Sequence, residues 1–280
     1  MAAEIALLVL LAAFLHAGWN ALVKASSDRL LIISAVAFAQ FMAGTLIMPF
    51  VAAPHPASWP AIAWSTLFHY FYYAFLYQAY RFGDLSQVYP LARGLAPVLV
   101  AIGAAIFARE ILSLPAIIGV SITSFGIASI AILQKSSLRN NSSALFFAVG
   151  TGAIIAGYSV ADGIGVRLSN SPVGYIAWLF FLESPVVLFV LYRRRSRLLG
   201  QLQREWKLFA GTGISSVCAY GIVIFAVNFA PMAAVSALRE SSVILAALVG
   251  TKFLGERPWQ QRVAAAVIVA GGVAMITGSR

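Results

Sequence analysis

The sequence predicts an all-α integral membrane protein with ten transmembrane helices, arranged as two inverted five-helix repeats. Composition is the first reason: of the 280 residues, 61% are hydrophobic and 10% are charged, and the mean hydropathy is +0.90. A soluble domain is about 45–50% apolar and about 25% charged, so two ordinary soluble domains are excluded. The second reason is that ten stretches have the length of a membrane helix. The third is that the two halves of the chain resemble each other.

The ten predicted spans are apolar runs that end at Pro, Gly, Asn or clustered charges. A spanning helix takes about 20 residues, so ten of them use most of the chain. They are predicted at residues 4–24, 30–52, 60–81, 86–107, 113–133, 143–166, 173–192, 207–229, 232–254 and 259–277. The first run has no basic segment before it and continues for a full span. We therefore expect a retained helix and not a cleaved signal peptide.

Basic residues indicate the orientation of the chain. Lys and Arg are concentrated in one set of connections, above all at Arg193–Arg197, whereas the other set carries only Arg109, Arg167 and the terminal Arg280. Basic connections stay on the cytoplasmic side of a membrane. We therefore expect a bacterial-type inner membrane protein with both termini outside, in the periplasm. The basic cluster is interpreted as a topology anchor and not as a nucleic-acid or lipid-headgroup site.

An internal repeat relates the two halves. Phe107-Ala108-Arg109-Glu110 matches Phe253-Leu254-Gly255-Glu256, and Arg93 matches Arg239 at the same spacing. Matched charges at one spacing argue against chance similarity among apolar helices. The predicted units are residues 1–138 and 139–280. Since each has five spans, an odd number, the second enters the membrane from the opposite side, as in transporters whose substrate site lies near the membrane midplane.

These features resemble one known family. The chain resembles the drug/metabolite transporter superfamily of EamA type in three features: two five-helix units, Trp19-Asn20 with Lys24 at the end of the first helix, and Glu110 and Glu256 at the ends of the fourth helices. The resemblance covers essentially the whole chain. It implies a ten-helix bundle that carries small metabolites, mostly outward, by alternating access. The second unit has no Trp-Asn pair and no matching Lys, so we expect its wall of the cavity to differ chemically.

No motif for catalysis, a cofactor or a metal is found in the sequence. A single cysteine, Cys218, excludes a disulfide framework and a cysteine-based metal site. No Gly-rich phosphate loop precedes a Lys-Ser/Thr pair, and the three histidines lack metal-ligand spacing. We therefore predict that the protein is not an enzyme and that an ion gradient or the substrate gradient drives transport.

Polar residues within the spans are the candidate site residues, because a charge at a helix centre costs about 2.5–3.5 kcal/mol. On the first helix His16, Asn20 and Lys24 follow at intervals of four residues, with Trp19 beside them. We expect this stripe to face the cavity. The alternatives are hydrogen bonding between helices for Asn20, and for Lys24 a side chain that reaches the membrane surface.

The third helix is rich in aromatic residues. His69, Tyr73, Tyr77 and Tyr80 fall on one face by helical spacing. A buried phenol needs a hydrogen-bond partner, so these hydroxyls are expected to point inward. They could line a pocket that stacks on cyclic or cationic cargo, or form an aromatic packing ridge.

Two arginines are predicted to bind or gate the cargo. Arg93, with Tyr89 one turn before it, lies about two turns into the fourth helix, and Arg239, next to Glu240, lies about two turns into the ninth. Inversion of the repeats places one arginine near each mouth. Both could bind an anionic group or form alternating ion pairs, or they could simply be satisfied by backbone carbonyls.

Two acids are predicted to couple or gate transport. Glu183 stands two residues before Pro185, which leaves the carbonyl of Phe181 without its helical partner. A carboxyl at such a break is suited to carry a proton or bind a substrate amine. Asp162, one turn after Tyr158, is a second candidate nearer the outside. Either could instead be an inert protonated acid.

The sequence therefore predicts a secondary transporter that exports a small polar or amphipathic, amino-acid-like metabolite across the inner membrane, with protons as a candidate coupling ion. Its expected partners are this substrate and the lipid bilayer, without nucleic acid, in a monomer or homodimer. Two other classes stay open: a channel or non-transporting membrane scaffold, and an intramembrane enzyme. The enzyme would need acids and histidines at one depth, whereas His16, Asp162 and Glu183 are predicted at different depths.

Overall fold

The structure is a computed structural model that describes residues 1–25, 29–82, 85–133, 141–243 and 259–278. These residues form ten α-helices, two short 3-10 helices and no strand. The α-helices are α1 (Ala3–Ala25), α2 (Arg29–Ile47), α3 (Trp59–Phe82), α4 (Leu85–Phe107), α5 (Leu114–Leu133), α6 (Ser142–Leu168), α7 (Pro172–Phe181), α8 (Ser184–Val227), α9 (Met232–Arg239) and α10 (Trp259–Gly278).

The predicted all-α membrane fold is confirmed. Within the described residues, six helical stretches are long and apolar enough to cross a membrane: Ala3–Asn20, Val88–Phe107, Leu114–Ala131, Ser142–Leu168, Pro172–Arg193 and Gln203–Val227. Two shorter apolar stretches are Ser34–Phe50 and Val263–Gly278. Large apolar side chains such as Leu7, Phe14 and Phe125 lie on the exposed outer surface of the bundle. Such a surface suits a lipid environment and not water.

Local sequence signals set several helix ends. Asn141 caps the start of α6 by accepting a hydrogen bond from the N–H of Ala144, and Ser171 caps α7 through the N–H of Gly174. Pro172 occupies the first position of α7, where no N–H is needed. The end of α4 is closed by Arg109, whose φ of 54° is left-handed. In this turn the N–H groups of Ala108 and Glu110 both donate to the carbonyl of Ala104.

The seventh and eighth predicted spans differ from the structure. The predicted helix 173–192 is broken at Leu182 and Glu183, and its second part continues beyond the predicted end. The segment around Arg193–Arg197, predicted as a connection, is helical up to a kink at Glu205 (φ −120°, ψ 23°). The reason is that Arg, Leu and Gln favour a helix and no proline interrupts them. Of the predicted ninth span, residues 244–254 lie outside the described part of the chain.

Helices of residues 1–133 pack mainly on helices of residues 142–278. The main contacts between these two parts are α1 with α8, α2 with α7 and α8, α3 and α4 with α6, and α5 with α10, whereas α4 also packs on α5 within residues 1–133. Gly119 and Gly272 let α5 and α10 approach closely, because a Cβ on either glycine would overlap the other's carbonyl oxygen. Polar residues from both predicted units therefore meet inside one bundle. The boundary between residues 138 and 139 stays a prediction.

Hydrogen bonds between connections identify one end of the bundle. Ser171 donates to the carbonyl of Ala52, the N–H of His55 donates to Ser169, and Arg167 donates to Val227 and Ala230. We call this the Arg167 end. At the opposite end Asn141 donates to the carbonyl of Phe82. Helix α6 therefore runs from the Asn141 end to the Arg167 end, where α7 begins in the opposite direction.

Candidate functional site

A buried cluster of three charges joins α4 to the end of α9. Arg93 Nε lies 2.8 Å from Glu240 Oε2, and Arg239 Nη2 lies 3.3 Å from Glu240 Oε1. Glu240 is fully buried, and Arg93 and Arg239 are 3% and 4% exposed. One carboxylate therefore bridges two guanidinium groups that the repeat relates to each other. We call these three residues the charge cluster.

The expectation that the two arginines lie near opposite mouths is wrong. Both bind the same carboxylate, so they lie at one depth. Each stands seven or eight residues into its helix, which is about 11 Å along the axis. The helices start at opposite ends of a core about 30 Å thick, so both arginines approach its middle.

The charge cluster carries more positive than negative charge. It contains two guanidinium groups and one carboxylate, and burial of unpaired charge is costly. The Arg93–Glu240 contact lacks the angle of a hydrogen bond, and Arg239 Nε has no hydrogen-bond partner among the described residues. The cluster therefore has unused donors and an electrostatic preference for a further anion.

His16 extends the cluster to α1. Arg93 Nη2 lies 2.7 Å from His16 Nε2, while Trp19 Nε1 lies 3.2 Å from His16 Nδ1. Guanidinium and indole groups can only donate. An imidazolium, which has two N–H groups and no acceptor, does not fit between them. A neutral His16 can accept at one ring nitrogen only, either from Arg93 at Nε2 or from Trp19 at Nδ1. The shorter, charge-assisted contact with Arg93 is the stronger of the two. Trp19 then contacts His16 through the edge-to-face packing of their rings, with centroids 5.0 Å apart.

The other predicted residues near His16 differ in their contacts. The ring of Tyr89 lies 5.6 Å from the guanidinium carbon of Arg93, and its hydroxyl lies 3.4 Å from His16 Nε2. Asn20 instead donates to the carbonyl of His16 on its own helix, at 2.7 Å. The side chain of Lys24 lies outside the described part of the structure.

Asp162 forms a second polar centre, on α6. Its carboxylate accepts hydrogen bonds from Tyr175 on α7, at 3.0 Å, and from Tyr220 on α8. Asp162 is 2% exposed. Neither tyrosine was predicted as a site residue. The only sequence signal was the match of Tyr220 to Tyr73 in the repeat, because a tyrosine in an apolar run does not reveal its partner.

An aromatic group covers Asp162. The ring of His69 stacks on Tyr158, with centroids 4.4 Å apart and planes at 23°, and meets the edge of Tyr220 at 5.4 Å. His69 Nδ1 lies 2.8 Å from the carbonyl of Ser65, which can only accept, so this nitrogen carries a proton. The structure thus brings the predicted residues His69, Tyr158 and Asp162 together.

Tyr77 is a correction to the predicted inward face of α3. It is 59% exposed on the outer surface, whereas His69 is buried. Residues eight positions apart on a helix differ in direction by about 80°. The predicted face therefore points inward at His69 and at Tyr73, whose hydroxyl interacts with the buried Glu183, but not at Tyr77. The side chain of Tyr80 lies outside the described residues.

Glu183 lies at the break between α7 and α8. Pro185 supplies no N–H for the carbonyl of Phe181, and the carbonyl of Leu182 accepts a hydrogen bond from Tyr70 on α3. Glu183 is 4% exposed and interacts with the hydroxyl of Tyr73. In the part of the chain described, its Oε2 has no hydrogen-bond partner. Glu183 therefore has an oxygen free for a further hydrogen bond inside the bundle.

A clamp that the sequence analysis did not predict holds the Arg167 end. Arg167 donates to Glu110 at 2.7 Å and to the carbonyls of Val227 and Ala230 at 2.9 and 2.8 Å. The other oxygen of Glu110 accepts the N–H of Met232 at 2.6 Å. Glu110 thus caps the positive start of α9. The clamp was missed because an arginine at a helix end is indistinguishable from a membrane anchor in sequence.

The described residues contain no group of three His, Cys, Asp or Glu side chains that could hold a metal ion. The polar centres instead resemble a binding path: two of them, the charge cluster and the Asp162 group, line one narrow cavity through Arg239, Asp162 and Tyr220.

Comparison with known proteins agrees with this architecture. The model of the EamA-like transporter family matches residues 4–132 and again residues 142–278. The crystal structure of another protein aligns with a TM-score of 0.72 and 15% sequence identity. The alignment covers 99% of this chain and 97% of the chain of that protein. At this identity the likeness shows the fold alone. A search of curated proteins finds no significant match.

Proposed function

The chain belongs to the EamA-like transporter family, and on this premise we propose that it exports a small polar or amphipathic, amino-acid-like metabolite by alternating access. The observation that carries the proposal is the charge cluster. A carboxylate held between two repeat-related arginines, inside the bundle, is a site where a cargo anion can exchange with a protein anion.

The excess positive charge favours a cargo with a negatively charged group. A cargo carboxylate that binds Arg239 replaces part of its contact with Glu240, which is the longer of the two ion pairs at 3.3 Å against 2.8 Å. Glu240 then stays with Arg93. Binding therefore alters the contact between α4 and α9 and favours one conformation over another, as coupled transport requires.

The clamp at the Arg167 end supplies the gate in this proposal. It joins the ends of α4, α6 and α8 to the start of α9. Opening this end requires the separation of Arg167 from Glu110. Loss of the Glu110 cap at Met232 also frees α9, the helix that carries Arg239. The gate and the charge cluster are therefore linked through one short helix.

Glu183 is the proposed proton carrier. It lies at a helix break inside the bundle, and its Oε2 has no hydrogen-bond partner among the described residues. A carboxyl that takes a proton on one side and releases it on the other couples transport to the membrane potential, worth about 2.3 kcal/mol per charge per 100 mV. We place the protein in a bacterial-type inner membrane, with both termini outside, as a monomer or homodimer.

Counterflow in proteoliposomes tests the proposal. Purified protein is reconstituted with a concentrated mixture of unlabelled amino acids inside, and entry of each radiolabelled amino acid is measured. A transporter shows transient accumulation that saturates with concentration. Entry that rises linearly without accumulation identifies a channel, and no entry above that of empty liposomes identifies a scaffold or a different cargo class. Either result contradicts the proposal.

A further inference from the structure

A narrow cavity lies between α6, α8 and α9, and its two ends differ in chemistry. Five polar or charged residues line it: Ser159, Asp162, Tyr220, Ser236 and Arg239. Five apolar residues complete it: Val223, Ile224, Val227, Met232 and Val235. Val227 and Met232 stand at the Arg167 end of their helices, whereas Tyr220 and Arg239 lie about 10 Å deeper. The cavity is thus aliphatic toward the Arg167 end and polar in the interior.

Asp162 offers negative charge at the polar end. Its carboxylate accepts hydrogen bonds from the hydroxyls of Tyr175 and Tyr220 and also interacts with the hydroxyl of Ser65. In the described residues no Lys or Arg forms an ion pair with it. A carboxylate has about four acceptor positions, so about one remains unused. A buried carboxylate that has no Lys or Arg partner is suited to bind an ammonium group from outside the protein.

Arg239 and Ser236 offer donors at the same end. Arg239 Nε and Ser236 Oγ have no hydrogen-bond partner among the described residues, although each residue is only 4% exposed. Arg239 also shares the Glu240 carboxylate with Arg93, and Arg93 lies closer to that carboxylate than Arg239 does. Two buried, unpartnered groups that line one cavity indicate a ligand, because buried polar groups otherwise find partners.

We infer that this cavity is the cargo subsite, in which Asp162 binds an ammonium group, Arg239 and Ser236 bind a carboxylate, and the aliphatic wall holds an apolar side chain. The cargo class is then an amphipathic α-amino acid, whose two charges add no net charge to the buried site. This inference rests on the proposed function and deepens it. The cavity as it stands has room for about one water molecule. Cargo therefore enters when α8 and α9 separate at the Arg167 end.

Three probes with the same branched apolar group test the subsite. They are L-leucine, 4-methylpentanoate, which lacks the amine, and 3-methylbutan-1-amine, which lacks the carboxylate. The measurement is the concentration of each probe that gives half-maximal thermal stabilisation of the purified protein. We expect leucine to act at a concentration at least about tenfold lower than either analogue, because a site built for a polar group rejects a ligand without it.

Two variants assign each charge to its residue. In Asp162→Asn the advantage of leucine over 4-methylpentanoate should disappear, while its advantage over the amine remains. In Arg239→Gln the advantage of leucine over 3-methylbutan-1-amine should disappear, while its advantage over 4-methylpentanoate remains. Ser129→Ala is the matched control, since this buried serine bonds the carbonyl of Gly126 on α5. It should keep the preferences of the unmodified protein.

The results separate this inference from the proposed function. If either charge variant does not fold, Ser236→Ala carries the test: leucine and 4-methylpentanoate should weaken about threefold, the loss of one hydrogen bond, and the amine should not change. Suppose that an amino acid shows saturable counterflow. The subsite is then overturned, and the proposed function stands, if Asp162→Asn keeps the leucine preference of the unmodified protein. The same holds if the unmodified protein does not prefer leucine over its analogues. Absence of counterflow with every amino acid overturns both.

Discussion

Arg167 donates a 2.7 Å hydrogen bond to Glu110 and thereby ties the end of α6 to the turn that follows α4. The same carboxylate caps α9 through the N–H of Met232. Both side chains are partly exposed, at 31% and 14%, so the ion pair alone contributes only about 0.2–1 kcal/mol. The proposed gate at this end therefore depends on a weak ion pair, which suits a contact that has to break and re-form.

Removal of the Glu110 charge should open the Arg167 end more often. In a Cys218→Ser background with Ser159→Cys in the cavity, Glu110→Gln should raise the rate of labelling by an impermeant thiol reagent about two- to fivefold, the factor that about 0.5–1 kcal/mol gives. Glu4→Gln, an exposed carboxyl at the start of α1, is the control and should leave the rate unchanged. An unchanged rate in Glu110→Gln contradicts the assignment of the clamp as a gate.

Tyr70 should stabilise the helix break. Tyr70→Phe removes the hydroxyl that bonds the carbonyl of Leu182, so the free energy of unfolding should fall by about 1 kcal/mol. A change of this size lowers the unfolding midpoint of a chain this long by about 2–4 °C. Tyr77→Phe removes an exposed hydroxyl from the same helix and should not shift the midpoint. Equal midpoints for the two variants would show that the break does not depend on Tyr70.

Glu183 should couple transport to protons. Glu183→Gln imitates the protonated acid at nearly the same volume. We expect it to abolish accumulation driven by a pH gradient and to spare exchange between two loaded sides, both measured in proteoliposomes. Asp162→Asn is tested in parallel as the rival proton carrier. Full pH-driven accumulation in Glu183→Gln rejects the assignment, and full accumulation in both variants indicates uniport or another coupling ion.

The sequence predicted the helices well where strong signals end them. The bounds of α4 and α5 lie within one residue of the prediction, because Gly, Pro and charged residues separate apolar runs there. The break at Leu182 and Glu183 was anticipated only as a local defect caused by Pro185. The helical course through Arg193–Arg197 was missed, since charge marks a membrane boundary but does not end a helix.

The sequence predicted several residues of the candidate site, but not how they are arranged in space. The repeat identified Arg93 and Arg239, but the spacing of residues does not say that α4 and α9 pack side by side. Their shared carboxylate therefore followed only from the structure. The match of Arg109 to Gly255 is informative in retrospect: Arg109 has a left-handed φ of 54°, a conformation that glycine favours.

The proposed topology places the Arg167 end outside the cell. In a Cys218→Ser background, a cysteine at Ala53, in the exposed connection after α2, should react with an impermeant reagent in intact cells. A cysteine at Ser196 should react only after the membrane is permeabilised, because basic segments remain in the cytoplasm. Strong labelling at position 196 in intact cells reverses the proposed orientation.

The central claim is that the charge cluster binds cargo through Arg239 and joins the two units through Arg93 and Glu240. Counterflow of Arg93→Ala and Arg239→Ala in proteoliposomes tests this claim most directly. Each variant should reduce the initial rate at least about tenfold, since truncation of one partner of a buried charge pair costs about 2–5 kcal/mol. Arg93→Lys should also fall well below the unmodified protein, because lysine lacks the planar fork that contacts Glu240 and His16 together. Arg81→Ala, at the exposed end of α3, should transport normally. Normal rates in both Arg93→Ala and Arg239→Ala would contradict the account.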